Sequence, residues 1–236
     1  GAYSIQQTTD GNYIVAGSVG YAISDTLQMD AILIKIDSNG NEIWNRTFSS
    51  NNTTFPDYTA AKSVKQTNDG GYIITGETAD GIGSGVNNDR TLFLLKTDLN
   101  GQQEWFQTLG SIFSETSGYS VQQTSDGGYI ITGSKDDTFG SGLSSESNVY
   151  LVKTNSNGEL NWSNEFGGDD MDIGVCVQQT IDDGYIICGT TVSDSGDYDI
   201  LIIKTDSEGN ATSTNIIETP TINKNLITTV DILGKV

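Results

Sequence analysis

SVQQTSDGGYIITG, residues 120–133, is the stretch that decides the fold, because closely similar stretches occur at three other places in the chain. They are SIQQTTDGNYIVAG from residue 4, SVKQTNDGGYIITG from residue 63 and CVQQTIDDGYIICG from residue 176. A second type of stretch follows each of them: AILIKIDSNGNEIW ending at Trp44, LFLLKTDLNGQQEW ending at Trp105, and YLVKTNSNGELNW ending at Trp162. The fourth, ILIIKTDSEGNATS, has Ser213 in place of the tryptophan. Such self-similarity indicates a repeat protein.

Each repeat predicts four short β-strands. The second and third strands, such as GYIITG and LFLLKT, are continuous apolar runs, which are typical of strands covered on both faces. Turns rich in Gly, Asp and Asn separate the first strand from the second and the third from the fourth, and these residues suit β-hairpins. Each repeat is therefore predicted to be a four-stranded antiparallel meander.

Four such meanders need one another, because a strand that is apolar on both faces must be covered by neighbouring sheets. Radial stacking of four-stranded sheets is the β-propeller, so the sequence predicts an all-β propeller of four-stranded antiparallel blades. We expect the repeats at 1–59, 60–116, 117–173 and 174–217, followed by a tail at 218–236. Four copies make a four-bladed ring or part of a larger one, and a β-solenoid or a large sandwich is the alternative fold.

The composition limits the possible partners and chemistry. The 236 residues include 31 acidic and 11 basic ones and no histidine, and the formal charge is −20. Such a charge repels phosphate backbones, so nucleic acid is not expected as a partner. Without histidine, the Ser-His-Asp and Cys-His nucleophile systems and histidine-ligated zinc or haem sites are excluded. No apolar run is long enough to predict a transmembrane segment.

All variation in the length of the repeat falls at one end of the predicted meander. The first hairpin has the same length in every copy, as from Val64 to Gly76, and the second is equally constant, as from Lys96 to Trp105. Only the connections between the second and third strands and between repeats vary. These connections share one edge of an up-and-down meander, and variable loops on a rigid scaffold are common binding sites. The alternative is that they are spacers without a function.

The variable loops combine aromatic and acidic side chains. Exposed rings can lie against the apolar faces of sugars, and carboxylates are hard oxygen ligands for calcium. The candidate ligand-binding residues are Tyr21, Phe55, Tyr58, Phe113, Phe139 and Tyr198. The candidate calcium ligands are Asp169, Asp170, Asp172, Asp194, Asp197 and Asp199. No stretch matches an EF-hand loop, and solvated loops of an acidic protein are the plainer interpretation of both acidic runs.

Cys176 and Cys188 are the only two cysteines, and they fall on adjacent strands of the last hairpin. If the turn centres on residues 182 and 183, Cys188 faces Val177 and Cys176 faces Gly189. The two thiols then point to opposite faces of the sheet. The sequence therefore predicts a small, buried, apolar role for both cysteines rather than a disulfide.

Three further residue types recur once per repeat, which indicates structural roles. The lysine of each third strand is followed two residues later by Asp or Asn, and this pair is expected to close the strand end beside its turn. The tryptophans are expected to be packing anchors, and the tyrosines that begin the second strands are also expected to be structural. The lysines are Lys35, Lys96, Lys153 and Lys204, and the tyrosines are Tyr13, Tyr72, Tyr129 and Tyr185.

The repeat resembles the tandem propeller-like repeats of many predicted secreted and cell-surface proteins of bacteria and archaea. The resemblance rests on SVQQTSDGGYIITGS and LFLLKTDLNGQQEWFQTLG, and it covers roughly residues 1–215. The tail NKNLITTVDILGKV, from Asn223 to Val236, is similar to the start of the C-terminal sorting domain of the type IX secretion system of Bacteroidetes. Together the resemblances imply an extracellular or cell-surface protein, while the repeat family implies no single activity.

The leading hypothesis is a non-catalytic binding or adhesion protein that takes a glycan or protein ligand on its variable-loop face. Calcium is an optional cofactor that would order the acidic loops. The alternatives are a polysaccharide hydrolase or lyase that uses two loop carboxylates, and a purely structural module of a larger surface protein. An enzyme requires an acid with a raised pKa in a pocket, whereas a binder requires exposed rings. The oligomeric state is left open.

Overall fold

The computed structural model describes residues 1–23, 26–49, 58–79, 90–110, 114–136, 147–168, 171–192 and 196–217. Every regular element within these residues is a β-strand, which confirms the all-β class. The first eight strands are β1 (Ala2–Gln7), β2 (Tyr13–Ile23), β3 (Thr26–Ile36), β4 (Glu42–Phe48), β5 (Tyr58–Gln66), β6 (Tyr72–Ala79), β7 (Thr91–Thr97) and β8 (Gln103–Leu109). The other eight are β9 (Glu115–Gln123), β10 (Tyr129–Asp136), β11 (Asn148–Thr154), β12 (Leu160–Phe166), β13 (Asp172–Gln179), β14 (Tyr185–Val192), β15 (Tyr198–Thr205) and β16 (Ala211–Ile217). None of the described residues forms a helix that could cross a membrane.

The sixteen strands form four units of four, numbered 1 to 4 in chain order. Consecutive strands of a unit pair antiparallel, as the β9–β10, β10–β11 and β11–β12 pairs of unit 3 show. The repeats therefore fold as the predicted meanders. A parallel bridge from Met29 to Tyr58 joins units 1 and 2, and a similar bridge from Ser147 to Met171 joins units 3 and 4.

The hydrophobic core lies between successive units rather than within one sheet. The second and third strands of unit 2 are buried along almost their whole length, on both faces. On one face, Ile73 and Leu94 belong to the same buried cluster as Tyr129 and Ile131 of unit 3. Equivalent clusters lie between units 1 and 2 and between units 3 and 4. Burying an aliphatic side chain in this way contributes about 1.5–3 kcal/mol, so each unit depends on its neighbours for stability.

A tryptophan from each of the first three units packs on the following unit. The ring centroids are 6.0 Å apart for Trp44 and Tyr72, 5.9 Å for Trp105 and Tyr129, and 5.8 Å for Trp162 and Tyr185. Each indole also lies against a turn glycine of the following unit, where any side chain would collide with it. These glycines are Gly101, Gly158 and Gly209. The predicted packing role of the tryptophans is confirmed.

The two end faces of the array are less covered than the faces between units. In unit 4, Ile186 is 37% exposed and Ile200 is 44% exposed, whereas Ile73 and Leu92 at the equivalent positions of unit 2 are both 0% exposed. At the other end, Tyr13 of unit 1 is only partly buried. Coverage on both faces is thus confirmed for units 2 and 3. For units 1 and 4, the described residues cover one face only in part.

Each first strand contains a β-bulge at the same position. In unit 2, Ala61 pairs with Gly76 and Ser63 pairs with Thr75, so Lys62 is the extra residue between them. The extra residues of the other units are Tyr3, Tyr119 and Val175. A bulge redirects the extra side chain out of the regular alternation of the strand. All four of these residues line one cavity between the units.

The structure overturns the predicted register of the last hairpin. Cys176 pairs directly with Cys188 and not with Gly189. The prediction assumed a two-residue turn, but Asp183 adopts a positive φ of 60°, which suits a type I turn followed by a left-handed residue and shifts the register by one. Both thiols therefore lie on one face of the sheet, and both are exposed rather than buried. The predicted buried, apolar role of the cysteines is wrong.

Gly118 permits a close contact between units 2 and 3. A β-carbon at this position would collide with the Thr75 hydroxyl. In the equivalent contact of units 1 and 2, Ala16 takes the place of Thr75 and Ala61 takes the place of Gly118. The two alanines belong to one buried cluster. We expect Gly118→Ala to lower the free energy of unfolding by about 1–3 kcal/mol, because it overpacks the contact. Thr75→Ala in the same chain is expected to recover part of that loss.

A double-mutant cycle measures this coupling between positions 75 and 118. Urea unfolding of the wild type, the two single variants and the double variant should give a coupling energy of about 1–3 kcal/mol. Losses that simply add would show that the Thr75 side chain does not limit the packing of Gly118.

Candidate functional site

The structure describes half of the residues that the sequence assigned to a ligand or to calcium. Phe55, Phe113, Phe139, Asp169, Asp170 and Asp194 lie outside the described residues. The described candidates are Tyr21, Tyr58, Tyr198, Asp172, Asp197 and Asp199. Their surroundings decide how well each suits its predicted role.

Two of the candidate tyrosines donate hydrogen bonds to carboxylates. The Tyr21 hydroxyl donates to Asp30 Oδ2 at 2.8 Å, and the Tyr58 hydroxyl donates to Glu77 Oε1 at 2.8 Å. The Arg90 guanidinium lies 5.4 Å from the centroid of the Tyr58 ring and so occupies one of its faces. Tyr58 is therefore poorly placed to stack on a sugar.

The remaining described candidates lie in unit 4. Three of their neighbouring positions lie side by side across the sheet, because Thr191 on β14 pairs with Asp172 on β13 and with Asp199 on β15. The two aspartates are only 5% and 7% exposed, whereas Tyr198 beside them is 61% exposed. The described residues contain no group of three or more acidic or cysteine side chains that could hold a metal ion. Because half of the predicted calcium ligands are not described, the calcium site stays a prediction.

Glu77 is the most deeply buried carboxylate among the described residues, at 1% exposure. Its Oε1 accepts from the Tyr58 hydroxyl at 2.8 Å, and its Oε2 accepts from the Ser117 hydroxyl of unit 3 at 2.6 Å. The Lys62 ammonium and the Arg90 guanidinium each lie 3.4 Å from Oε1. Glu77 thus joins units 2 and 3 and also holds one of the bulge side chains, Lys62.

The pKa of Glu77 lies below its ordinary value although the carboxyl group is buried. Burial is the largest single influence and raises the pKa, but the hydrogen bonds from Ser117 and Tyr58 and the nearby positive charges together outweigh it. The positive charges of Lys62 and Arg90 lower the pKa further. The same contacts raise the pKa of Tyr58 to about 12, through burial first and the Glu77 hydrogen bond second. Glu77 is therefore an anion at neutral pH, and the Lys62 ammonium lies beside it.

A cavity of about 690 Å³ lies between the first strands of all four units. This volume is within the range of small-molecule sites. Its lining consists of hydroxyl and amide side chains, two tyrosines, two lysines, two valines and one cysteine, and no carboxylate belongs to it. The tyrosines are Tyr3 and Tyr119, and the lysines are Lys62 and Lys65. The sequence pattern does not reveal this site, because the bulges that place Tyr3, Lys62 and Tyr119 in its lining leave no trace in a regular strand pattern.

Repeated hydrogen bonds connect the first strands from one unit to the next. The Val64 amide donates to Ser4 Oγ at 3.2 Å, and the Gln66 amide donates to Gln6 Oε1 at 2.8 Å. Units 3 and 4 are joined in the same way, from Val177 to Ser120 at 3.3 Å and from Gln179 to Gln122 at 2.9 Å. We call these hydrogen bonds the inter-unit ladder. The serine and the first glutamine of the recurring Ser-x-Gln-Gln stretches supply its acceptors, so its residues were visible in the sequence.

Unit 2 departs from the ladder at Lys65, which takes the position of Gln6 and Gln122. An ammonium group cannot accept a hydrogen bond. Lys65 therefore cannot accept one from the Gln123 amide, whereas Gln6 and Gln122 each accept one from an amide of the next unit. Lys65 is exposed in the cavity lining and makes no ion pair with a described residue. The lysine therefore removes one link between units 2 and 3 and adds a positive charge to the cavity.

The other cavity lysine sits over an aromatic ring. Lys62 Nζ lies 4.9 Å from the centroid of the Tyr3 ring, a cation–π contact between units 1 and 2. Although the chain carries a net charge of −20, both charged residues that line the cavity are cations. Lys62 is already paired with Glu77, so Lys65 is the lining charge that favours an anionic group over a cation.

The four recurrent lysines pair with a different aspartate from the one that their spacing suggests. Lys96 Nζ lies 2.8 Å from Asp69 Oδ2, in the first hairpin turn of its unit. The equivalent pairs are Lys35–Asp10 at 2.7 Å, Lys153–Asp126 at 2.8 Å and Lys204–Asp182 at 2.9 Å. Asp98, two residues after Lys96, instead accepts the backbone amides of Asn100 and Gln102 at 2.8 Å. Both interactions recur in every unit and hold its turns, so they are structural.

No family model matches the chain, and no curated protein matches it. Among solved structures, the chain is similar to the crystal structure of a protein of unknown function from Dyadobacter fermentans DSM 18053, with a TM-score of 0.60 and 10% identity. The match covers 92% of this chain and 64% of that one, so this chain spans less than two thirds of the length of the protein it resembles. At this identity the likeness concerns the fold alone.

Proposed function

We propose that the four units are blades of a β-propeller and that the chain is a non-catalytic, extracellular or cell-surface module that binds an acidic glycan between its first strands. The observation that carries the proposal is the cavity lining, which combines two tyrosines, two lysines, amides and hydroxyls without a carboxylate. The convergence of four first strands on one cavity supports the blade arrangement, because a propeller places one edge strand of every blade around its centre.

Each component of the lining suits one part of an acidic sugar. The Tyr119 ring offers an apolar surface, and Tyr3 offers only the ring face opposite Lys62. The serine and glutamine side chains offer donors and acceptors for hydroxyl groups. Lys65 offers a charged donor for a carboxylate or sulfate, and such charge-assisted hydrogen bonds are strong. Lys62 is already paired with Glu77. Tyr198 of unit 4, at 61% exposure, does not belong to the cavity lining.

The pKa values of the described carboxyl groups do not support hydrolysis by those groups. A glycoside hydrolase needs one carboxyl group with a raised pKa to act as general acid. In the described part of the chain, every carboxyl group with a shifted pKa has a lowered one, held down by hydrogen bonds and nearby lysines. These groups are Asp10, Asp37, Asp69, Glu77, Asp126, Asp182 and Asp206.

Calorimetric titration with a galacturonic acid oligomer and with a galactose oligomer of the same length tests the proposal. We expect the charged oligomer to bind and the neutral one to bind more weakly. The titration is repeated in calcium and in chelator, which separates binding in the cavity from binding by calcium-ordered acidic loops. Equal binding of the two oligomers, or binding of neither, would contradict an acidic-glycan site.

Lys65→Gln separates binding from stability, because it restores the residue found in units 1 and 3. A glutamine can accept the Gln123 amide, so the free energy of unfolding is expected to rise by about 0.5–1.5 kcal/mol. Binding of the galacturonic acid oligomer is expected to weaken about 10- to 100-fold, since a charged hydrogen bond of about 1.5–3 kcal/mol is lost. Urea unfolding and calorimetry on the same sample measure both effects. Unchanged affinity would place the ligand away from Lys65.

A further inference from the structure

Cys176 and Cys188 form a directly opposed pair on the β13–β14 hairpin. The equivalent pair in unit 2 is Ser63 with Thr75, so the two thiols take the positions of two hydroxyls. Both cysteines are free and exposed, and Cys176 also lines the central cavity. The pair is therefore within reach of small molecules from the solvent.

The backbone register places the two cysteines at a distance that a disulfide can span. The amide of Val177 donates sideways to Ser120 of unit 3, so Val177 does not exchange backbone hydrogen bonds with β14. Opposed residues alternate along an antiparallel pair, which makes Cys176 and Cys188 a hydrogen-bonded pair. The Cα atoms of such a pair are about 5.5 Å apart, within the range of about 4.4–6.8 Å that disulfides span.

We propose that Cys176 and Cys188 are a redox-active dithiol, which a small-molecule disulfide oxidises to an intramolecular disulfide at the wall of the cavity. In the first step, one cysteine thiolate attacks the small disulfide and releases one small thiolate, which leaves a mixed disulfide on the protein. In the second step, the other cysteine thiolate attacks the protein sulfur and releases the second small thiolate. The protein loses two protons and two electrons, and the small disulfide gains them.

The register also makes this disulfide readily reversible. In a hydrogen-bonded pair the Cβ atoms lie at the long end of the range of about 4.5–5.5 Å, whereas a disulfide holds them about 3.8 Å apart. Closing the bond therefore draws the two strands together and strains the hairpin. A strained disulfide is more easily reduced than a relaxed one. The dithiol is thus suited to repeated opening and closing.

The pKa of the Cys188 thiol bears on the pH at which the exchange runs. Partial burial, and then the neighbouring Cys176 thiol, raise the pKa of Cys188. Because the thiolate is the attacking species, the exchange is expected to be faster at pH 8 than at pH 7.

Intact-mass analysis of the full chain after treatment with oxidised glutathione at pH 8 tests the proposal. We expect a product that is about 2 Da lighter, with neither thiol open to alkylation, and recovery of both thiols on adding dithiothreitol. A digest without reduction should give one peptide pair linked through Cys176 and Cys188. Two thiols that stay open to alkylation, or products limited to glutathione adducts and linked dimers, would overturn the proposal.

Two variants that copy residues of unit 2 serve as matched controls. Cys188→Thr leaves Cys176 alone, so the reaction is expected to stop at one glutathione adduct. Failure of this variant to form an adduct would mean that Cys176 is not accessible, which also counts against the proposal. The double variant Cys176→Ser, Cys188→Thr is expected to fold and to remain unchanged in mass, since it carries the residues of the equivalent pair.

Discussion

Replacing Ile73 by alanine is expected to lower the free energy of unfolding by about 2–5 kcal/mol. Ile73 is fully buried between units 2 and 3, where it shares a cluster with Leu92 and Leu94 and with Tyr129 of the following unit. Truncation removes three buried carbons and leaves a cavity that two packed sheets cannot easily close. Urea unfolding followed by tryptophan fluorescence measures the loss.

Ile186→Ala is the matched control, because Ile186 holds the same position in unit 4 but is 37% exposed. Its loss is expected to be about 1 kcal/mol or less, since part of the side chain already contacts water. A loss as large as that of Ile73→Ala would mean that another surface covers the end face of unit 4 in solution. The comparison thus tests whether burial between units is the main source of stability.

Glu77→Ala is expected to cost about 3–5 kcal/mol, because it leaves a buried group of donors without its acceptor. Tyr58 and Ser117 would lose their hydrogen-bond partner, and Lys62 would lose the charge beside it. Thermal and urea unfolding of the variant measure the loss. It should also weaken the contact between units 2 and 3, since Ser117 belongs to unit 3.

The effect of Glu77 is also expected to depend on pH. The folded-state pKa is lower than the ordinary 4.5, so the contribution of Glu77 is fully present above about pH 4.5 and is lost as the pH falls through the folded-state pKa. The stability difference between the wild type and Glu77→Gln should therefore shrink in acid. A difference that stays constant from pH 7 to pH 3 would argue against a buried carboxylate.

Glu104→Ala provides the control for removing a carboxylate that is not buried. Glu104 is 46% exposed and lies 3.1 Å from Lys96, which keeps Asp69 as a second partner. A loss of about 1 kcal/mol or less is expected for this exposed ion pair. A loss equal to that of Glu77→Ala would show that burial does not set the cost.

The sequence predicted part of the candidate site, but not the contacts that its residues make. The variable loops were identified from their lengths, and Tyr198 is indeed an exposed ring on that side. Tyr58, however, is held by Glu77 and Arg90, two residues far from it in sequence whose approach no local pattern reveals. The substitution of Lys65 for the glutamine of the other repeats was visible in the sequence. Its meaning depends on the hydrogen bonds that those glutamines make to the next unit.

The positions of the two cysteines also could not be predicted from the sequence, because they depend on the length of one turn. Their predicted register was wrong, because the turn at Asp183 contains one residue more than the two-residue turn assumed. A shift of one residue moves a side chain to the opposite face of a strand, so a small error in the turn reversed the conclusion about the thiols.

The sequence by itself determined the four-stranded unit, its number of copies and the packing role of the tryptophans, because apolar runs and turn residues act over short stretches of chain. Only the tertiary structure decided which side chains line the cavity, which faces of units 1 and 4 the described residues leave partly exposed, and that the two cysteines lie opposite each other. The hydrogen bonds between first strands join residues that are 57 to 60 positions apart in the sequence. The bulges place single side chains of those strands in the cavity lining. Interactions over such separations depend on how whole units stack, which no local pattern specifies.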